Sequence, residues 1–151
     1  MPDEKSIALL IGPISPATPG PLYRQIVTGF TKVISEGQLP PGSALPSFRS
    51  LAEELLVSLI TVKRAYDELE RDGIIYRRQG LGTFVAEQGH AASRQTKLRN
   101  ARDLFKRAAK EALEAGLTPA EVHELAAHAI QSGSGTMSPS PSSKSSLNST
   151  P

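Results

Sequence analysis

Two apolar-periodic segments, each opened by a serine, follow one another with only about three residues between them, the spacing of a helix–turn–helix. Ser47 caps the first, which runs to Leu55 and turns Leu51, Ala52 and Leu55 inward. Ser58 caps the second, which runs to Asp72 with Val62, Ala65 and Leu69 on its inner face and Tyr66 at the edge; Gly73 ends it. Ahead of the pair, Leu22, Tyr23, Ile26, Val27, Phe30, Val33 and Ile34 trace one stripe of a helix over 22–36, begun after Pro21 and stopped by Gly37. Pro41-Gly42 reads as a tight turn. Behind the pair the period changes from helical to extended. Residues Ile74 to Arg78 and Thr83 to Val85 flank the glycine-bearing loop Gln79-Gly80-Leu81-Gly82, a β-hairpin. Helix, helix–turn–helix and hairpin in this order predict a winged helix.

The remaining segments arrange themselves around this module, residues 21–86. Residues 1–20 form an arm rich in Pro and Gly, whose apolar run Ile7 to Ile11 fits a short strand. Residues 87–96 read as a linker. Over 97–131 two helices follow: Leu98, Ala101, Phe105, Ala109 and Ala112 face one way on the first, and Val122, Leu125, Ala126, Ala129 and Ile130 on the second. Gly116 separates them, and Thr118-Pro119-Ala120-Glu121 is a capping box with proline at the first helical position. From 132 to 151 almost every residue is Ser, Pro, Gly, Thr or Asn, too little apolar surface to offset ordering entropy, so this tail is expected to be disordered. The predicted fold class is therefore mostly α: a winged helix–turn–helix followed by a short two-helix C-terminal dimerisation module.

Composition removes several function classes. The chain of 151 residues has no cysteine and three histidines, which excludes a disulfide framework, a thiolate zinc site and a cysteine nucleophile. His90, His123 and His128 are scattered and no H-E-x-x-H occurs, so no metal or other cofactor is expected. No nucleophile–base constellation suggests an enzyme. The apolar run near the start is too short for a signal peptide and follows Asp3 and Glu4, and no stretch reaches the ~20 residues of a membrane helix; a cytoplasmic location is expected.

DNA is the partner such a module presents itself to. A helix–turn–helix places the start of its second helix in the major groove, where Ser58, Leu59, Ile60 and Thr61 lie, with Lys63 and Arg64 pointing outward. Ser58 is either a cap alone or a cap that also touches DNA, since one hydroxyl can do both. Arg49, just after the Ser47 cap, either anchors on the phosphate backbone or pairs with Glu53 one turn on. Arg77 and Arg78 precede the hairpin tip, and alternation along a strand turns one of them toward DNA. The module as a whole is not basic. From Ser47 to Val85, Arg49, Lys63, Arg64, Arg71, Arg77 and Arg78 are offset by Glu53, Glu54, Asp67, Glu68, Glu70 and Asp72. The acids of the second helix, however, stand in its later turns, away from the docking tip. The run Arg94, Lys97, Arg99, Arg102, Lys106, Arg107, Lys110 reads as a solvated helix face or as added phosphate contact.

The string Pro21-Leu22-Tyr23-Arg24-Gln25-Ile26, Leu45-Pro46-Ser47-Phe48-Arg49, Leu51-Ala52, Val57-Ser58, Thr61-Val62, Ala65-Tyr66, Leu69-Glu70 and Gly80-Leu81-Gly82-Thr83-Phe84-Val85 resembles the GntR family of bacterial transcription regulators over residues 21–85. The form Val57-Ser58-Leu59-Ile60-Thr61-Val62-Lys63-Arg64-Ala65-Tyr66 resembles its short YtrA-type subfamily. The resemblance implies DNA contact by Arg49, by Ser58, Leu59, Ile60, Thr61 and Lys63, and by a wing tip of Gln79, Gly80 and Leu81 in the minor groove. Many members carry Arg where this chain has Leu59, a residue that cannot make the bidentate bond to guanine; a thymine methyl is the apolar counterpart.

Two helices totalling about 35 residues are too small to stand alone, and a second copy is the simplest source of the missing burial. The other arrangement has them folding back on their own winged helix. They are also too small to wall a ligand pocket within one chain. The expected function is a homodimeric, sequence-specific regulator of transcription, a repressor, bound to double-stranded operator DNA. The alternative is a winged-helix protein-interaction module without sequence-specific DNA binding, which the apolar pair Leu59-Ile60 keeps open.

Overall fold

A computed structural model of the chain describes residues 4–133 as six helices and one two-stranded antiparallel sheet. Of the tail expected to be disordered over 132–151, Ser132 and Gly133 belong instead to the last helix, and the rest lies outside the described residues. The described residues fall into two units divided after Asp103.

In the first unit, α2 (Leu22–Ser35) buries Ile26, Val27, Phe30, Val33 and Ile34 along one face. It ends where Gly37 takes φ +78° and the Gln38 N–H reaches back to the Val33 carbonyl at 2.9 Å, satisfying a carbonyl the helix leaves open. Helix α3 (Phe48–Leu55) starts at Ser47, whose hydroxyl accepts from the Ser50 N–H at 3.1 Å, and buries Leu51 and Ala52. Helix α4 (Leu59–Arg71) buries Val62, Ala65, Tyr66 and Leu69 and packs across α2 and α3. Tyr66 is not at the edge: it is fully buried, edge-on to Phe30 at 5.8 Å and to Phe48 at 5.2 Å. Its hydroxyl donates to the Pro46 carbonyl at 2.8 Å, so the ring fills the core while its polar end is satisfied.

Gly73, at φ +74°, turns the chain into β1 (Ile75–Arg78), which pairs with β2 (Gly82–Val85) in the register Ile75↔Val85 to Arg78↔Gly82. The segment after the Pro41-Gly42 turn does more than turn. Leu45 N–H donates to the Thr83 carbonyl at 2.8 Å and Val85 N–H to the Ser43 carbonyl at 2.9 Å, with Ala44 bridged to Phe84. This third, short pairing ties the wing to the chain that leads into α3.

Two expectations are corrected. The run fitted to a strand is helix α1 (Glu4–Ile11). A strand would place Ile7, Leu9 and Ile11 on one face, yet Ile7 and Ile11 are buried and Leu9 is 83% exposed. Ile7 and Ile11 stand one helical turn apart, and Gly29 of α2 admits Ile11: a Cβ there would lie 2.8 Å from the Ile11 carbonyl oxygen. The linker, likewise, is mostly helix, because α5 (Gly89–Glu114) starts well before residue 97. Its first turns approach the core through small residues, with Gly89, Ser93 and Thr96 buried. A Cβ on Gly89 would meet the Ile74 carbonyl at 2.7 Å. Apolar periodicity does not register such a contact.

Leu56 closes α3 in the left-handed conformation, φ 56°, with its side chain 91% exposed. An L-residue carries a steric penalty there that glycine lacks. Leu56→Gly removes the penalty and sacrifices no packing, and is expected to raise stability by up to about 1 kcal/mol, read from a denaturant midpoint.

In the second unit, α5 ends at Glu114 and Gly116, at φ +95°, breaks the chain. Helix α6 (Pro119–Gly133) is then opened by the anticipated capping box. The Thr118 N–H donates to Glu121 Oε2 at 2.8 Å and the Glu121 N–H to Thr118 Oγ1 at 3.3 Å. No residue of α6 is buried, and α6 makes no extensive contact with α5.

Candidate nucleic-acid interface

The start of α4 is bare. Ser58 accepts from the Thr61 N–H at 3.1 Å and its hydroxyl also meets that of Thr61 at 2.7 Å, so the cap and the third helical position are locked together. Ser58, Leu59 and Ile60 are exposed, Leu59 at 48% and Ile60 at 78%. Neither α3 nor α4 has an acid in its first turn, so nothing offsets the partial positive charge of those helix ends.

Beside this tip the charges sort themselves. Arg49, Lys63 and Arg78 are exposed, and among the described residues none of them is held in an ion pair; the pairing of Arg49 with Glu53 does not form. The three acids of α4 and its C-cap Asp72 each meet a cation. Arg77 meets Asp67 at 2.6 Å and Glu70 at 2.9 Å, Arg24 meets Glu68 at 3.7 Å, and Arg99 meets Asp72 at 3.7 Å. Pairs this exposed add little stability. Their consequence is for the field: four of the six carboxylates from Ser47 to Val85 face three guanidinium groups, while Arg49, Lys63 and Arg78 carry no ion pair among the described residues.

Two residues expected at the interface have partners within the chain. Arg77 is bound by the α4 carboxylates, with its guanidinium 5.1 Å from the Phe48 ring centroid, so it joins the wing to α3 and α4. Arg64 lies over the Tyr23 ring at 3.9 Å and joins α4 to α2. Sequence spacing shows that both point outward from their own elements; it does not show the partner waiting on the next one. Of the arginine pair, Arg78 is the exposed and unpaired member.

The wing tip turns tightly, the Leu81 N–H donating to the Arg78 carbonyl at 3.0 Å with Gly80 at φ +77° and Gly82 at +121°. Gln79 and Gly80 are exposed and Leu81 is 69% exposed. The tip adjoins the start of α3: Ser47, Phe48, Leu81 and Phe84 line one open cleft of about 420 Å³. The structure thus brings Ser47 and the wing tip together.

The residues expected to dimerise are open. On α5, Leu98 is 45% and Phe105 59% exposed; on α6, Leu125 is 54% and Ile130 62%. Ala101 and Ala129 are exposed, and Ala109, Ala112, Val122 and Ala126 half-buried. Leu104 and Leu113, exposed at 59% and 50%, widen the α5 strip beyond the single line of spacing that the sequence suggested. Among the described residues no group of His, Asp and Glu could hold a metal, and no helix is long and apolar enough to cross a membrane.

The sequence profile of the bacterial regulatory proteins of the gntR family matches residues 22–85, from the start of α2 to the end of the wing. The HTH-type transcriptional repressor YtrA of Bacillus subtilis is 33% identical over 111 residues, 74% of this chain and 85% of that protein. The chain belongs to the GntR family. A second relative, the HTH-type transcriptional regulator YhcF of Bacillus subtilis, is 36% identical over 104 residues, 69% of this chain and 85% of that protein. A GntR family transcriptional regulator from Listeria monocytogenes superposes with a TM-score of 0.61 at 30% identity, covering 73% of this chain and 96% of that one. The similarity to YtrA and YhcF therefore extends past the winged helix, as it does for the short YtrA-type members. The family and these relatives are regulators of transcription, not enzymes, and the DNA-binding element they share is the winged helix–turn–helix described above.

Proposed function

We propose that the protein is a homodimeric, cytoplasmic repressor that binds a specific double-stranded operator, each α4 entering a major groove and each wing lying on the flank. The observation that carries this reading is the bare, capped start of α4 beside the unpaired cations Arg49 and Lys63. On this reading Ser47, Arg49, Ser58, Leu59, Ile60, Thr61, Lys63, Arg78, Gln79, Gly80 and Leu81 contact DNA, while Arg64 and Arg77 hold the elements that do. Residues 21–86 are the DNA-binding domain and the helices of 97–131 the dimerisation module. The apolar strips of α5 and α6 support a second copy as their cover, because exposed leucines and a phenylalanine in helices that barely touch each other leave burial unrealised. Repression follows from occupying a promoter and excluding polymerase, and the relative YtrA is named a transcriptional repressor.

The test is a salt titration of binding to a duplex selected from a randomised pool. The logarithm of affinity is expected to fall linearly with the logarithm of salt, because Lys and Arg release counterions from phosphates. Arg49→Ala is expected to weaken binding to all duplexes and to make that slope shallower by about 1, the removal of one phosphate contact. A protein-interaction module would select no duplex, and an unchanged slope would remove Arg49 from the interface.

A further inference from the structure

We propose that Leu59 and Ile60 read thymine through its C5-methyl group, so that the bases under the tip of α4 are A·T pairs recognised by hydrocarbon contact. This rests on the DNA-binding reading above and specifies what that tip recognises.

In the major groove guanine is read by a forked or pointed cation, adenine by a carboxamide, and thymine alone offers a methyl group. The first turn of α4 holds no cation and no carboxamide for the first two. No Asn, Gln or Arg occurs among residues 57–62. Arg64, the arginine nearest in sequence, lies over Tyr23 at 3.9 Å, and Arg77 is on Asp67 at 2.6 Å, while the unpaired Arg49 belongs to the start of α3 and not of α4. The hydroxyls of Ser58 and Thr61 face one another at 2.7 Å, and that of Ser58 also caps the helix. Lys63 stands one turn further in than Leu59 as a point charge, suited to phosphate.

What the tip does offer is apolar. Ile60 is 78% and Leu59 48% exposed, adjacent residues in the first turn, with no acid in that turn and with unpaired Arg49 and Lys63 in the same two helix starts. Cations flanking an apolar pair match the chemistry of a groove, in which phosphates border a floor bearing methyl groups. A protein partner for the same pair would gain nothing from those cations unless it were acidic.

Removing the methyl group alone, without altering base pairing, tests the proposal. Full-length protein is used to select duplexes from a randomised pool, and each thymine of the selected site is replaced in turn by deoxyuridine. Binding is followed by fluorescence anisotropy at fixed salt. Wild-type protein is expected to bind about fourfold more weakly for each contacted methyl removed, at one or two positions per half-site. The Leu59→Ala/Ile60→Ala variant, whose changes lie on the surface and whose folding is checked by circular dichroism, is expected to bind the unmodified site more weakly and to be indifferent to the same replacements. Wild-type affinity unmoved by deoxyuridine at every thymine overturns the proposal, as does an equal loss in the double variant, which would trace the effect to DNA shape. Selection of no duplex overturns the DNA-binding reading itself, and the proposal with it.

Discussion

Replacing Leu125 and Ile130 of α6 by glutamate is expected to leave the protein monomeric and to weaken its hold on a palindromic operator by about a hundredfold or more. Both side chains are more than half exposed in the single chain, so the carboxylates are tolerated there without loss of fold. Between two copies the same carboxylates would be buried without partners, and desolvating unpaired charge is far costlier than the apolar contacts it replaces. A monomer engages one half-site at a time and forfeits the effective concentration that the second half-site enjoys once the first is bound. Analytical ultracentrifugation reads the mass, and operator titration reads the affinity. Retained dimer with retained affinity would place the interface elsewhere.

Tyr66→Ala is expected to remove about 3–5 kcal/mol of stability, most of what a domain of this size possesses. The ring is fully buried and meets Phe30 of α2 and Phe48 of α3 edge-on, so its loss opens a cavity where three helices converge. The Pro46 carbonyl also loses the hydroxyl that donates to it at 2.8 Å. Tyr66→Phe isolates that bond: the ring stays, and the expected cost is about 1 kcal/mol. Thermal or urea unfolding separates the two. If Tyr66→Ala cost no more than Tyr66→Phe, the helices would not depend on this ring for their packing.

The winged helix was legible in the sequence because its signals are local. Ser47 and Ser58 bond the backbone three residues on, Gly73 ends a helix, and the hairpin glycines permit the turn, all without help from distant parts of the chain. What the sequence hid depends on distant partners. Ile7 and Ile11 are buried one helical turn apart, and Gly29 leaves room for Ile11 against α2. Gly89, Ser93 and Thr96 look like linker composition, yet smallness is the property that lets α5 lie against Ile74 and Val85. Arg64 and Arg77 point outward by spacing, and only the fold shows Tyr23, Asp67 and Glu70 receiving them. The balance of charge was informative only after pairing was known: Asp67, Glu68, Glu70 and Asp72 share three arginines, while Arg49, Lys63 and Arg78 at the candidate interface carry no ion pair among the described residues.

The central claim is that the Ser58 end of α4 meets the duplex. Backbone amide chemical shifts of the isotopically labelled protein, followed as a selected duplex is added, address it residue by residue. The largest changes are expected at residues 47–49, 58–63 and 78–82, with the inward face of α4 little affected. Changes confined to α5 and α6, with residues 58–63 unmoved at saturating duplex, would contradict it.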